Sequence, residues 1–389
     1  MPNLPQELIT DILTRLPVKS LLRFRCVSKP WCSVIDSRSF IKMHLLQSKK
    51  TGSNLFLMLG FLGIYSVELD SLDAANRLRP PYSASDVSNS CNGLILVLAK
   101  IPFIWNPFTR KYRELPATPV EQPVDFEVGS AYVTYGFAYD AVNDDYRVVR
   151  VEEFRGFDSE WIRSEAKLYS SKSDKWRKIK NFPYQLPYKR AWGAHLNGVL
   201  HTGVRTGDLG YFDSSIWAFD VRTEQHYTLP KPDFTGTDLE FTVEVLGGCL
   251  CLVRPRKRYR TDVWIMKEYG VKESWTKLLT IAPPLVERYI TIGPLAYSRN
   301  GEEVLLNHDD KQLIWYDLRR KTVRNVSVDG LPFVFYAEVC VASLIQPDVS
   351  GEGDETEELR QQEKSRVKKR SGFSPHWVDF LSEGFKLVL

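Results

Sequence analysis

Apolar residues along this chain follow two different periods. From Leu4 to Leu46 the period is helical: Leu8, Ile9, Ile12, Leu13 and Leu16 form a stripe on one face. Pro5 suits a first helical turn, with Asn3 or Leu4 just outside it, and Pro17 stops the helix. Ser20 is placed to cap a second short helix with Leu21, Leu22, Phe24 and Val27. Ser28, with Pro30 behind it, starts a third carrying Trp31, Val34 and Ile35. Ser39 starts a fourth with Phe40, Ile41, Met43, Leu45 and Leu46. A piece this short sits near the size below which a lone domain buries too little surface, yet it holds more large apolar residues than it can hide. Two readings stay open: a module that docks its excess apolar face on a partner, or a helical cap packed on the rest of its own chain.

After Ser48–Lys49–Lys50–Thr51–Gly52–Ser53, read as a linker, the helical period fades and a loose unit recurs. Each copy has a Gly-containing turn, an apolar strand, an aromatic strand ending near Asn or Asp, and a further strand that often ends in Leu-Pro. Copies begin at Asn92-Gly93, Asn197-Gly198, Gly247-Gly248 and Asn300-Gly301, another contains Tyr169, and a degenerate one lies near Tyr65. The aromatic anchors Tyr65, Trp105, Tyr169, Trp217, Trp264 and Trp315 recur at ~40–50 residues with one longer gap, the period of β-propeller blades. They are read as blade-packing core. The fold class expected is mainly β: an N-terminal all-α module followed by a β-propeller-like domain of six or seven blades. The divisions expected are 1–47, 48–345, a polar 346–372 and an apolar 373–389.

Composition supports this. Ten Trp, 18 Tyr and 20 Phe accompany 23 Gly and 22 Pro, a strand-and-turn composition. The formal net charge of +4 argues against a protein devoted to wrapping nucleic acid. Uncharged apolar runs fall short of the ~20 residues of a membrane span, and the start MPNLPQEL has no secretory character. The 6 Cys then fit reduced thiols and a cytoplasmic or nuclear setting.

The first segment, LPQELITDILTRLPVKSLLRFRCVSKPWCSVIDSRSF, resembles an F-box of the plant type. Leu4-Pro5, Ile12-Leu13, Arg15-Leu16-Pro17, Leu21, Arg23, Cys26, Val27, Ser28, Lys29 and Trp31 carry the match. The resemblance implies binding to the Skp-type adaptor, and through it the cullin, of a Skp–cullin–F-box ubiquitin ligase. The adaptor-binding residues expected are Leu4, Pro5, Leu8, Ile12, Leu13, Leu16, Pro17, Leu21, Arg23, Val27, Lys29 and Trp31. Arg15, Lys19, Arg23, Arg25, Lys29, Arg38 and Lys42 outnumber Glu7, Asp11 and Asp36, so an acidic partner is steered to this module. The rest is similar to the F-box-associated domain of plant proteins, through Cys91-Asn92-Gly93-Leu94, Trp105-Asn106-Pro107, Gly136-Phe137-Ala138-Tyr139-Asp140 and Asp145-Tyr146-Arg147-Val148-Val149-Arg150. That likeness implies capture of a protein substrate. The ending DFLSEGFKLVL resembles a subgroup of plant F-box proteins associated with restraint of defence responses.

Other features are weighed against plain structural roles. Cys249 and Cys251 share a strand face without metal spacing, and Cys26 and Cys32 read as small core residues. His195 and His201 flank a turn with no nucleophile or carboxylate beside them, so a structural role is expected. No cofactor is implied. The densest basic run, Arg254, Arg256, Lys257, Arg258 and Arg260, is expected on a loop and is a candidate for docking an acidic substrate surface, with nucleic acid less favoured, or else a solvated loop. In the tail an acidic block precedes Lys364, Arg366, Lys368, Lys369 and Arg370, which read as a nuclear localisation signal or a solvated tail. The leading function is a non-catalytic substrate receptor. A propeller enzyme of glycosidase or oxidase type, needing clustered carboxylates at the channel mouth, and a ubiquitin-independent scaffold are the alternatives.

Overall fold

The computed structural model describes residues 5–347, apart from 62, 84–85, 121–128, 158–160, 181, 183–185, 187–191, 207–212, 235–240, 257–259, 284 and 286–290. Lys364, Arg366, Lys368, Lys369, Arg370 and the apolar 373–389 segment therefore lie outside the described residues. Four helices open the fold: α1 (Gln6–Thr14), α2 (Val18–Phe24), α3 (Lys29–Asp36) and α4 (Arg38–Thr51). Pro5 and Pro17 stand immediately before α1 and α2, so Ser20 lies inside a helix and caps nothing. Ser28 caps α3 by accepting from the Trp31 amide at 3.3 Å. Ser37, not Ser39, caps α4 through the Phe40 amide. The stretch read as a linker is the last turn of α4, closed by Gly52 at φ 63°. Its lysines favour a helix C-terminus, and Ser48 is buried beside Phe40, Ile41, His44 and Leu45 on one helix face.

Among the described residues twenty-four strands form six four-stranded antiparallel sheets, which sets the blade number at six. Blade 1 contains β1 (Leu55–Gly60), β2 (Tyr65–Glu68) and β3 (Asn76–Arg77). Blade 2 contains β4 (Asp86–Cys91), β5 (Leu94–Leu98), β6 (Phe103–Trp105) and β7 (Tyr112–Glu114). Blade 3 contains β8 (Ser130–Asp140), β9 (Asp145–Arg155), β10 (Trp161–Ser170) and β11 (Lys175–Ile179). Blade 4 contains β12 (Ala194–Leu196), β13 (Val199–Thr206), β14 (Asp213–Asp220) and β15 (Gln225–Leu229). Blade 5 contains β16 (Thr242–Leu246), β17 (Cys249–Arg256), β18 (Arg260–Met266) and β19 (Trp275–Ile281). Blade 6 contains β20 (Ile292–Tyr297), β21 (Glu303–His308), β22 (Gln312–Asp317) and β23 (Val323–Val326). The last strand, β24 (Tyr336–Val341), pairs with β1 and so supplies the innermost strand of blade 1.

All six aromatic anchors lie on the third strand of their blades, β2, β6, β10, β14, β18 and β22. Trp105, Tyr169, Trp217 and Trp315 are buried, while Tyr65 and Trp264 are half-buried. The longer gap before Tyr169 follows from blade 3, whose first two strands run 11 residues each.

Local turn chemistry repeats with the blades. The Asn106 side-chain oxygen accepts from the amides of Phe108 and Thr109, at 2.9 and 3.2 Å. Asp220 does the same for Arg222 and Thr223, and Asp317 for Arg319 and Arg320. Each turn then closes on a residue at positive φ: Arg110, Glu224 or Lys321. These side chains replace water on backbone donors at a bend. Asn92-Gly93 has both residues at positive φ, as a two-residue hairpin requires. A Cβ on Gly93 would also stand 2.6 Å from the Val341 carbonyl oxygen, so glycine is needed there twice over.

Asn106 does more than shape its turn. It is fully buried, and its amide donates to the carbonyls of Ser343 and Ile345 at 2.9 and 2.7 Å, tying blade 2 to the chain leaving β24. Asn106→Ala strips partners from buried polar groups at about 1–3 kcal/mol each. The urea midpoint is expected to fall by an amount equal to at least ~2 kcal/mol.

Buried histidines give the fold a pH signature. His201 Nδ1 must donate to the Ala194 carbonyl at 3.2 Å, so neutral Nε2 accepts from the Tyr269 hydroxyl at 2.8 Å. Burial pushes the His201 imidazole down to about 4, and it does the same to His195, with His201 adding to the effect. Above the unfolded value of about 6.5 both states are neutral and stability is complete. Between about 6.5 and about 4 the unfolded chain takes up a proton the folded one refuses, and His201 alone withdraws on the order of 3 kcal/mol. Urea midpoints titrated from neutral to acid pH should show this decline, and His201→Gln should remove about one proton from its slope.

Candidate interaction surfaces

The helices have two faces with different fates. Leu13, Val18, Leu21, Ile35, Phe40 and Ile41 join one apolar cluster with Phe56, Met58 and Ile64 of blade 1, with Ile95, Val97, Phe103 and Trp105 of blade 2, and with Cys340, Ala342 and Leu344. Ile9, Leu16, Leu22, Phe24 and Trp31 pack against that cluster. Trp31 meets Phe24 edge-on at 5.6 Å. The helical segment is thus a cap on its own propeller, and it also keeps apolar residues for solvent. Leu8 and Ile12 stand one turn apart on the outer side of α1, 52% and 53% exposed, beside the Asp11–Arg15 pair. Val27, at the α2–α3 junction, is exposed as well.

The residues expected to bind an adaptor therefore divide. Pro5, Leu8, Ile12, Pro17, Arg23, Val27 and Lys29 are exposed, while Leu16 and Trp31 are half-buried. Leu13 and Leu21 are core residues that no partner reaches in the folded protein. Leu4 lies outside the described residues. Met43 and Leu46 are exposed because the buried stripe of α4 runs through Phe40, Ile41, His44, Leu45 and Ser48. Cys26 is exposed and Cys32 half-buried, so neither is the core residue the sequence suggested. Cys26 follows the last turn of α2 beside exposed Val27, where no packed face passes.

Polar contacts fix the cap on blades 2 and 3. Lys42 Nζ reaches Asp144 at 2.9 Å; Arg38 and the Tyr139 hydroxyl bind the same carboxylate. Burial alone would raise the Asp144 carboxyl, but Tyr139, Lys42 and Arg38 together hold it down to about 2. Lys49 Nζ donates to Asn92 at 2.6 Å at the β4–β5 turn. His44, under the cap, is bonded to the Leu16 carbonyl at 2.8 Å and lowered by burial.

Antiparallel strands send successive turns to alternate faces of the ring. The helices contact turns between first and second strands, at Asn92 and Asp144. Among the described residues, those after second strands and those leading from one blade to the next lie on the other face. Phe61, Ile101, Phe157, Phe333 and Tyr336 are exposed there, with Phe61 edge-on to Tyr336 at 5.9 Å. At the channel, burial pushes Glu338 of β24 up to about 7, with its oxygen accepting from the Ser90 amide of β4 at 2.6 Å.

The basic run near residue 256 is not simply a loop. Arg254 and Arg256 lie on β17 and Arg260 on β18, because the two strands pair to their ends at Arg256 and Arg260. Arg254 is buried with its guanidinium 4.2 Å from the centre of the Phe234 ring, so it is withdrawn from docking. Arg256 and Arg260 both bind Asp262. Lys257 and Arg258 lie outside the described residues. Among the described residues no group of His, Cys, Asp and Glu is arranged to hold a metal ion, and no helix is long and apolar enough to cross a membrane.

Comparison with known proteins agrees with this architecture. Residues 1–43 match the F-box domain and residues 52–347 match the F-box associated beta propeller domain. F-box protein CPR1 of Arabidopsis thaliana is 34% identical over 421 aligned positions, covering 100% of each chain. A second Arabidopsis thaliana F-box protein is 31% identical, again over 100% of each. An F-box/kelch-repeat protein of the same organism is 31% identical across 72% of this chain and 79% of its own. The chain belongs to the F-box proteins that carry an F-box-associated β-propeller.

Proposed function

We propose that this protein is the substrate-recognition subunit of a Skp–cullin–F-box ubiquitin ligase, binding the adaptor through the outer face of its helices and a target protein through the propeller. The observation that carries this reading is the two-faced F-box. Its inner residues are committed to blades 1 and 2, while Leu8, Ile12 and Val27 remain uncovered. An amphipathic helix with free apolar anchors is a helix-in-groove ligand. The target is expected on the ring face away from the helices, where Phe61, Phe333 and Tyr336 are exposed and an adaptor does not obstruct. A cytoplasmic or nuclear location goes with this role. The protein then contributes proximity and not chemistry, in keeping with the adaptor character of F-box relatives. Glu338 is the carboxyl that a propeller enzyme would recruit at the channel, but its hydrogen bond to the Ser90 amide gives it a packing role between blades 1 and 2.

Co-purification with a Skp-type adaptor tests the reading. Leu8→Ala/Ile12→Ala is expected to weaken adaptor binding at least about tenfold, since each side chain has roughly 1 kcal/mol of burial still to gain. Its melting temperature should stay near that of the parent. Leu13→Ala or Leu21→Ala should instead destabilise the whole fold by about 2–5 kcal/mol. Undiminished adaptor binding by the Leu8/Ile12 variant would remove α1 from the interface.

A further inference from the structure

Blade 5 gathers more positive charge than its own structure neutralises. On its blade 4 side, Arg256 Nη1 and Arg260 Nε each reach Asp262 at 3.3 Å, and Lys277 Nζ reaches it at 3.2 Å. The Thr280 hydroxyl donates to the same carboxylate at 2.6 Å. Asp262 is buried, yet the side chains of Arg256, Arg260 and Lys277 keep 32%, 45% and 36% of their surface. Burial would raise the Asp262 carboxyl, but Thr280 and the cations hold it below its usual range, so it is ionised. One anion thus serves three cations, and the excess faces solvent.

The cations are also positioned. Arg256 and Arg260 stand directly opposite each other across the β17–β18 pair. Lys277 lies over the Trp264 ring at 5.1 Å, and Trp264 packs against Phe234. Each guanidinium uses one nitrogen on Asp262 and retains further donors in its planar fork. Side chains already held in place lose little freedom on binding. The β17 end at Arg256 and the β18 start at Arg260 lie on the ring face away from the helices.

We propose that this edge of blade 5 docks an acidic segment of the target protein, with carboxylates meeting Arg256, Arg260 and Lys277. This rests on the substrate-receptor reading and gives the chemistry of what the receptor takes. A short carboxylate run suits a local excess of charge, whereas nucleic acid favours a basic stripe long enough to follow many phosphates.

The test uses the full chain co-purified with its adaptor. Fluorescence anisotropy follows a short fluorescein-labelled Glu-rich peptide, its Gln counterpart, and a single-stranded oligonucleotide of equal charge. Binding of the Glu-rich peptide alone is expected, weakening with salt. Arg256→Gln/Arg260→Gln should lower its affinity about tenfold. Arg319→Gln/Arg320→Gln removes the same charge on the helix side of the ring and should change affinity less than about twofold. If the first variant melts early, Lys277→Gln, which leaves both arginines on Asp262, takes its place with about a threefold loss expected. Equal loss in the two double variants, no binding of the Glu-rich peptide, or preference for the oligonucleotide each overturns the proposal. Adaptor retention is read in parallel: losing the adaptor defeats the receptor reading, and losing only the peptide defeats the docking site.

Discussion

Strand β24 lies against β1 over six consecutive residue pairs, from Leu55–Val341 to Gly60–Tyr336. These partners sit roughly 280 residues apart, and closing so long a loop costs about 5 kcal/mol in chain entropy. A ladder of this length offsets that only because it brings buried surface with it. Phe56 and Met58 from one strand and Cys340 from the other enter the same apolar cluster. Blade 1 has no inner strand until the ring is shut, and blades 1 and 2 make no complete floor for the helices until then.

The F-box therefore depends on the propeller in a way its sequence does not announce. A helical segment this short has two apolar surfaces and a core too small to hold both. One surface is resolved internally, through Leu13, Leu21, Ile35 and Phe40. The other is left for a partner. Ion pairs from Arg38 and Lys42 to Asp144, and the Lys49–Asn92 bond, add orientation more than strength, since partly exposed pairs contribute about 1 kcal/mol or less. The outer face of the helices and the blades beneath it consequently behave as one piece.

Much of this was legible from residue order. Asn92-Gly93 and Asn197-Gly198 located hairpins because few residues tolerate two positive φ values in succession. Aromatic anchors located blades because each third strand carries one large ring, buried or half-buried against its surroundings. Asn and Asp at strand ends marked bends because their side chains cap turn amides. What escaped the sequence was governed by contacts distant in the chain. Ser48 to Thr51 looks like a linker until Asn54 and blade 1 cover one side of it. Leu13 and Leu8 have the same period and hydrophobicity, and only the blades beneath decide which is core. Arg254 resembles its basic neighbours until Phe234, from a different blade connection, meets its guanidinium.

The shared cluster also orders events during synthesis. The helices leave the ribosome before the blades, whereas Cys340, Ala342 and Leu344 beneath them follow blades 2 to 6. At ~5–20 residues per second the intervening chain takes roughly 15–60 s to appear. Throughout that interval the floor under the helices lacks its last strand, and a protein that binds then meets a helical segment whose inner face is incompletely covered. A ribosome that stops before β24 releases a chain with its F-box helices but no closed ring, and the cluster around Leu13 and Leu21 then lacks Cys340, Ala342 and Leu344.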